Sequence, residues 1–161
     1  MKLQFHRFKL QKRAFPVFLA LTMFSYSGPE TELVALINHE RQAHNLPSVS
    51  INWELARLAR YRAEEMQMLE FFSFESPAYD SPKEMLARFG MEFTEVGASI
   101  AVGRENAEDV FNAWMTSNEY RNKILNPEFT AVGVGFTRNA NGKAYWTLLL
   151  MSNQTSCEEF V

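Results

Sequence analysis

The strongest constraint on the fold is a pair of apolar runs near the C-terminal end of the chain. Residues 132–136 and 145–150 flank the segment Asn139-Ala140-Asn141-Gly142. An Asn-Gly step between two β-prone runs is a strong signal for a hairpin, because both residues tolerate the positive φ that tight hairpin turns require. The two runs therefore predict adjacent antiparallel strands. Glycines at 133 and 135 permit another backbone to pack closely against the first strand.

Helices are predicted ahead of the hairpin from capping residues and helical periodicity. Thr31 is placed to cap a helix that runs to about Ala43, and Asn52 is placed to cap a second, amphipathic helix. The segment Ser81-Pro82-Lys83-Glu84 combines an N-cap, a first-turn proline and a capping-box glutamate. A third helix is therefore expected to begin there and to end at Gly90.

The remaining elements complete an α+β pattern. Residues 93–102 are typical of a strand, residues 106–109 open another helix, and a short helical turn is expected at 119–125. Helices that enclose a small, mainly antiparallel sheet follow from this order. The chain shows no internal repeat, low-complexity block or long linker after residue 29, so a single domain is expected.

The N-terminal segment is typical of a secretory signal peptide. Five basic residues and no acidic residue lie within positions 1–13, and an apolar run at 14–24 precedes the small residues 25–27. The run is shorter than the roughly 20 residues that span a bilayer. We therefore expect a signal peptide at 1–27, with transient membrane contact; an uncleaved signal anchor and a disordered extension are the alternatives. A domain at 28–151 and a tail at 152–161 would follow.

Charge and cysteine content narrow the function classes. Beyond residue 13 the chain carries 11 basic and 19 acidic residues, a net charge near −8. Such an acidic body argues against nucleic-acid binding, which depends largely on Lys and Arg contacts to phosphates. Cys157 is the only cysteine and lies beside two glutamates in the tail, where acidic neighbours raise a thiol pKa. We expect it to be a bystander thiol.

Three sequence blocks resemble those of one protein family. The segment Phe72-Ser73-Phe74-Glu75-Ser76-Pro77 is similar to a loop written F-S-H-x-S-P, and Gly97-Ala98-Ser99-Ile100-Ala101 stands where G-E-N-I-A is usual. A longer block runs from Tyr120-Arg121 through Asn126-Pro127 to Gly135. Together these blocks resemble the CAP superfamily, also called SCP or pathogenesis-related-1-like, and particularly its short bacterial secreted members. The resemblance covers residues 33–151 and implies an α-β-α sandwich.

The resemblance also implies a central cleft whose usual metal ligands are replaced here. Family members converge two histidines and two acidic residues in this cleft, and several bind a divalent metal. At three of those positions this chain carries Phe74, Ala98 and Tyr120, none of which is a strong zinc ligand. The fourth position corresponds to Ala78, for which Asp80 is a partial substitute. No metal and no other cofactor are therefore expected. His39 and His44 are expected outside the cleft.

Seven residues are the expected cleft lining, and they support more than one interpretation. They are Phe74, Glu75, Asp80, Ala98, Ser99, Tyr120 and Arg121. Glu119 is a further polar candidate. Phe74 and Tyr120 together could form an aromatic floor for an apolar or peptide ligand, or they could simply fill the former metal site with packing. Both interpretations stay open at the level of sequence.

The leading hypothesis for function is a secreted, monomeric, non-catalytic binding module at or beyond the outer face of the cell envelope. Its ligand would be a lipid, a small apolar molecule, a peptide or an envelope component. One alternative is a metal-independent hydrolase or peptidase that uses Glu75 or Asp80 with Tyr120. Another is a membrane-anchored surface interaction protein. Serine catalysis has little support, because no serine lies in a G-x-S-x-G elbow.

Overall fold

The computed structural model describes residues 28–152, in which a four-stranded sheet lies between two layers of helices. The predicted signal peptide or anchor and the tail that carries Cys157 lie outside the described residues. Within residues 28–152, no helix combines the length and the apolar character needed to cross a membrane. The α+β class and the α-β-α sandwich predicted from the sequence are confirmed.

Five helices and four strands make up the described part of the chain. In chain order they are α1 (Pro29–Ala43), β1 (Ser50–Ile51), α2 (Trp53–Met68), α3 (Pro82–Arg88), β2 (Glu95–Val102), α4 (Ala107–Thr116), α5 (Asn118–Ile124), β3 (Ala131–Arg138) and β4 (Ala144–Ser152). The sheet order is β1-β3-β4-β2. The predicted hairpin is β3 and β4, and β2 pairs antiparallel with the other side of β4.

The two faces of the sheet carry different side chains because successive residues of a strand point to opposite sides. On β4, Trp146, Leu148 and Leu150 pack with α1 and α4. The intervening Leu149 and Met151 pack with α2 and α3. All nine residues of β4 are buried, so this central strand forms the middle of the core, and β2 forms one edge of the sheet.

The predicted caps are confirmed at two helices. Asn52 Oδ1 accepts a hydrogen bond from the Leu55 amide, and Ser81 Oγ accepts one from the Glu84 amide. The α1 helix differs from the prediction, since it begins at Pro29 with Gly28 as its N-cap. Proline already has the φ of a first helical residue and has no amide hydrogen to leave unpaired. Thr31 therefore lies inside the helix, where its hydroxyl donates to the Gly28 carbonyl.

Two further boundaries differ from the prediction. Strand β2 begins at Glu95 rather than at residue 93, because Glu95 pairs with Ser152, the last residue of β4. Strand β1 was not predicted. It has only two residues and pairs parallel with β3, and so short a run has no recognisable period.

Close packing of α2 on β3 fixes one helical layer against the sheet. A Cβ atom built on Gly133 would lie 2.3 Å from the backbone of Leu55, and one on Gly135 would lie 2.2 Å from the backbone of Ala59. Real Cβ atoms do not approach backbone atoms this closely. The two glycines therefore allow the helix backbone to rest directly on the strand, as the sequence pattern predicted.

A buried arginine fixes the opposite layer. Arg41 of α1 is fully buried, and burial lowers the pKa of its guanidinium group. It donates hydrogen bonds to four main-chain carbonyls, those of Pro47, Ile124, Asn126 and Phe129, at 2.7–3.1 Å. Arg41 thereby ties α1 to the C-terminal end of α5 and to the loop that leads into β3. These contacts position α5 beside the edge of the sheet.

Candidate functional site

Two of the residues predicted to line the cleft, Phe74 and Tyr120, meet at the β2 edge of the sheet. Phe74 lies in the loop between α2 and α3 and packs against the core on that side. Tyr120 lies on α5 and packs against the core on the other side. Their ring centroids are 6.4 Å apart in an edge-to-face arrangement, a favoured geometry for aromatic pairs. The structure therefore brings together the two aromatic residues predicted from the sequence.

The loop that carries Phe74 is held by a buried ion pair on α2. Arg62 and Glu65 are 6% and 7% exposed and form a salt bridge. Arg62 Nη2 also donates to the carbonyls of Ser73, Phe74 and Glu75 at 2.8–2.9 Å. Because buried charges are costly unless they are paired and hydrogen-bonded, these contacts fix the loop to the helix. Phe74 is consequently presented by a rigid support.

Tyr120 is a half-buried phenol whose hydroxyl group is available to a ligand. Its ring centroid lies 6.4 Å from that of Trp114. Burial, and secondarily the charge of Glu119, raise the pKa of Tyr120 above its ordinary value of 10.0, so the phenol is neutral at physiological pH. No hydrogen bond joins its hydroxyl group to any residue within 28–152. The hydroxyl group can therefore both donate and accept.

A lysine that the sequence analysis did not select lies at the centre of the site. Lys123 Nζ is 5.0 Å from the ring centroid of Phe74 and 5.3 Å from that of Tyr120. It donates to the carbonyl oxygen of Ala98 at 3.1 Å and to Glu119 Oε1 at 2.7 Å. The ammonium group thus contacts Phe74, Tyr120 and Ala98, which occupy three of the four positions at which the family carries metal ligands. The centre of the site is therefore occupied by a positively charged side chain of the protein itself.

The other predicted lining residues are placed differently. Ala98 is buried and contributes its main-chain carbonyl. Ser99 is also fully buried, but it follows Ala98 on β2 and so points to the opposite face of the sheet. That face is the side on which Tyr120 packs, and the role of Ser99 in the cleft stays a prediction. Glu75, Asp80 and Arg121 are exposed around the site rather than gathered at its centre.

A narrow cavity lies beneath Phe74. It has about 10 Å³ of free volume, room for roughly one water molecule. Its walls include Ala98, Ile100 and the buried Thr147. The hydroxyl group of Thr147 has no hydrogen-bond partner among the described residues. A ligand larger than water cannot enter this cavity while Phe74 keeps its position, so the accessible part of the site is its aromatic rim.

A larger groove lies elsewhere, outside the predicted cleft. It has a volume of about 480 Å³ and runs between the start of α1, strand β1 and the first turns of α2. Its apolar lining includes Val34, Ile51 and Trp53, and Trp53 is 76% exposed. Size alone would favour this groove as a binding site, but the residues that the sequence blocks single out lie at the β2 edge.

The side chains at the site do not fit a transition metal. Zinc sites use imidazole, thiolate or carboxylate ligands at about 2 Å, whereas Phe74, Ala98 and Tyr120 supply two rings and a methyl group. Within residues 28–152, no group of three or more His, Cys, Asp or Glu residues is close enough to hold a metal ion. His39 is exposed on α1, and His44 caps the end of that helix beside Glu40, as expected.

The sequence does contain signals for Lys123 and Arg62, the two residues that the sequence analysis missed. Lys123 is three residues after Tyr120 and four after Glu119, so all three lie on one face of a helix. Arg62 lies between Leu58 and Met66 on the apolar stripe of α2, where an arginine must find buried partners. A charged residue inside an apolar stripe is therefore the signal that identifies the support of the site.

Comparisons with known proteins point to the same family as the sequence blocks do. The sequence profile of the cysteine-rich secretory protein family, CAP, matches residues 34–150. Protein YkwD of Bacillus subtilis (strain 168) is 37% identical over 123 residues, which are 76% of this chain and 47% of that protein. This chain thus spans about half the length of that relative, and 32% of a second relative from the same organism, the membrane protein YlbC.

Solved structures agree with the sequence comparison. An extracellular protein that contains an SCP domain, from Bacillus anthracis str. Ames, superposes with a TM-score of 0.72 at 25% identity. The match covers 78% of this chain and 41% of that protein. An outer surface protein of Borrelia burgdorferi has the same fold, with a TM-score of 0.72 at 18% identity over 77% of this chain and 92% of its own. This chain belongs to the CAP family.

Proposed function

We propose that this CAP domain works outside the cell as a non-catalytic binding module, and that it contacts its ligand through the rim formed by Phe74 and Tyr120. The extracellular assignment is supported by the SCP-domain protein of B. anthracis, which is described as extracellular. It also agrees with the basic and apolar N-terminal segment of the sequence. The ligand is an apolar small molecule or a peptide, since the rim offers aromatic surface and one hydroxyl group that no other residue of the described part of the chain binds.

The observation that carries this proposal is the position of the Lys123 ammonium group. It lies between the two rings and against the carbonyl of Ala98, where it would repel a divalent metal. Without a metal, the site has no means of generating a metal-bound hydroxide or of polarising a carbonyl as a Lewis acid. What it offers instead is a fixed aromatic surface, which suits binding.

The metal-independent hydrolase is less well supported. A general acid or base works best when its pKa is near the operating pH, but burial moves the pKa of Tyr120 further above 10.0. The carboxylates of Glu75 and Asp80 are exposed. Neither carboxylate is therefore enclosed by the protein.

A binding experiment on the exported chain tests the proposal. The probe is 3-phenylpropionamide, a neutral aromatic amide, titrated while the aromatic side-chain signals are followed by NMR. We expect shifts of the Phe74 and Tyr120 signals and weaker binding in Phe74→Leu. The matched control is Phe72→Leu, because Phe72 lies in the same loop but is exposed and makes no contact with Tyr120 or Lys123.

Three results would contradict the proposal. The first is one equivalent of zinc, found by native mass spectrometry of the exported protein and removed by a chelator. The second is turnover of a peptide substrate by the purified protein that is lost in Tyr120→Phe. Failure of the aromatic amide to shift either ring signal would also count against binding at this rim.

A further inference from the structure

We infer that Lys123 and Tyr120 form a subsite for a carboxylate carried by an apolar group, and that the ligand carboxylate takes the place now held by Glu119. This inference rests on the proposed binding function and names the chemical class of the ligand. It is drawn from three features of the site: a cation held in place, a carboxylate partner that is easily exchanged, and a hydroxyl group that has no partner within residues 28–152.

The ammonium group is held by contacts that do not involve Glu119. Lys123 Nζ donates to the main-chain carbonyl of Ala98, which belongs to a strand of the sheet. It also lies near the rings of Phe74 and Tyr120, where the electron-rich faces attract a cation. The side chain of Lys123 is 28% exposed. The cation would therefore keep its position and remain reachable if Glu119 moved away.

Glu119 is an exchangeable partner for this cation. Its side chain is 66% exposed, and it is paired with Lys123 as residues i and i+4 on α5. Exposed pairs of this kind contribute little stability. The 2.7 Å contact between Glu119 Oε1 and Nζ nevertheless shows that a carboxylate fits at this position. A ligand carboxylate can replace that of Glu119 without loss of the other contacts to Lys123.

Tyr120 supplies a second polar contact and part of an apolar one. Its neutral hydroxyl group has no partner among the described residues and can donate to one carboxylate oxygen while the ammonium group donates to the other. The apolar part of the ligand would lie over the rings of Phe74 and Tyr120. It stays at the rim, because the cavity below is only about 10 Å³.

The test compares two probes that differ only in charge. 3-Phenylpropionate and 3-phenylpropionamide are titrated separately into the exported chain, and Kd values are measured from the aromatic NMR signals. We expect the carboxylate to bind more tightly than the amide. Lys123→Met should weaken carboxylate binding by about 10- to 150-fold, as expected for a charge-assisted hydrogen bond, and should weaken amide binding much less. Lys143→Met, which removes a lysine at the exposed hairpin end, is the charge control.

The decisive variant is Glu119→Gln, which keeps the size of the side chain and removes the competing carboxylate. We expect it to tighten carboxylate binding by about 1.5- to 5-fold and to leave amide binding unchanged. Unchanged or weaker carboxylate binding in Glu119→Gln would overturn the inference. Equal binding of both probes to the unaltered chain would also overturn it, and would leave the proposed apolar binding intact. Failure of the unaltered chain to bind either probe would instead contradict the proposed function itself.

Discussion

Restoring the family's metal ligands should not restore tight zinc binding while Lys123 is present. The perturbation is the combined variant Phe74→His, Ala98→Glu and Tyr120→His, which returns two imidazoles and a carboxylate to the three positions. The rings now at positions 74 and 120 are centred 5.0 and 5.3 Å from Lys123 Nζ. Since zinc lies about 2 Å from its ligand atoms, a metal between those positions would be within roughly 5 Å of the ammonium group.

Two estimates bound the free-energy cost of binding zinc next to the Lys123 ammonium group. If Lys123 stayed in place, repulsion between a double and a single positive charge at about 5 Å would be about 7 kcal/mol at an effective dielectric constant of about 20. Lys123 can instead move into solvent. It would then lose its hydrogen bond to the Ala98 carbonyl, about 1.5–3 kcal/mol for a charged donor, since the rings of Phe74 and Tyr120 are already absent from the triple variant. Movement is the cheaper response, so it sets the penalty at about 1.5–3 kcal/mol.

The assay is competition for zinc with a chelator of known affinity. The triple variant is compared with a quadruple variant that also carries Lys123→Met. The penalty of about 1.5–3 kcal/mol corresponds to a zinc Kd roughly 10- to 150-fold lower in the quadruple variant. Lys143→Met added to the triple variant removes a charge at the hairpin and should not change the Kd. Equal zinc affinity in the triple and quadruple variants would refute the assignment of Lys123 as the group that opposes a metal.

Three further predictions concern stability and pH. Arg41→Met should lower the free energy of unfolding by about 3–5 kcal/mol in urea denaturation, because four carbonyls lose a buried charged donor; a loss below about 1 kcal/mol would contradict this. Gly135→Ala should cost more than Gly142→Ala in the same assay. A Cβ atom at position 135 would lie 2.2 Å from backbone atoms of Ala59, whereas an alanine at position 142 would meet no atom and would only have to adopt a positive φ of 80°. The free energy of unfolding should fall as the pH rises above 10, since the pKa of Tyr120 is raised in the folded state and ionisation favours the unfolded chain. The fall should be smaller in Tyr120→Phe, and an identical pH profile would contradict the reasoning.

The fold was predictable wherever a local sequence signal, such as a turn or cap residue, agrees with the contacts that the segment makes elsewhere in the fold. The hairpin turn at Gly142 and the cap at Ser81 are local features, and each has the structure that its residues require. The start of α1 was misplaced because Thr31 and Pro29 are both acceptable near a helix N-terminus, and the proline had the stronger preference. Strand β1 depends entirely on its partner β3, so its sequence alone contains no signal for it.

The site was less predictable because its centre is defined by side chains that reach across layers. Alignment to family blocks selected Phe74, Ala98 and Tyr120, and the structure brings these residues together. The same alignment gave no reason to choose Lys123, since an exposed-looking lysine on a short helix is ordinarily solvated. Ser99 was selected as a polar residue in one of these blocks, and strand alternation places its side chain on the face of β2 opposite that of Ala98.

Lys123 also explains how the site can remain ordered without metal ligands. A metal held at positions 74, 98 and 120 would join the loop after α2, the edge strand β2 and helix α5. The Lys123 ammonium group contacts the same three elements through one ring, one carbonyl and a second ring. On the edge strand, its bond to the Ala98 carbonyl stands beside the bond from Trp114 Nε1 to the Ile100 carbonyl. These side-chain donors satisfy carbonyls that an edge strand would otherwise leave open to pairing with another chain. The Lys123 cation therefore has a structural role that is separable from ligand binding. Glu119→Gln leaves the contacts of Lys123 with Ala98 and the two rings in place. It is for this reason a sharper probe of the carboxylate subsite than removal of the lysine.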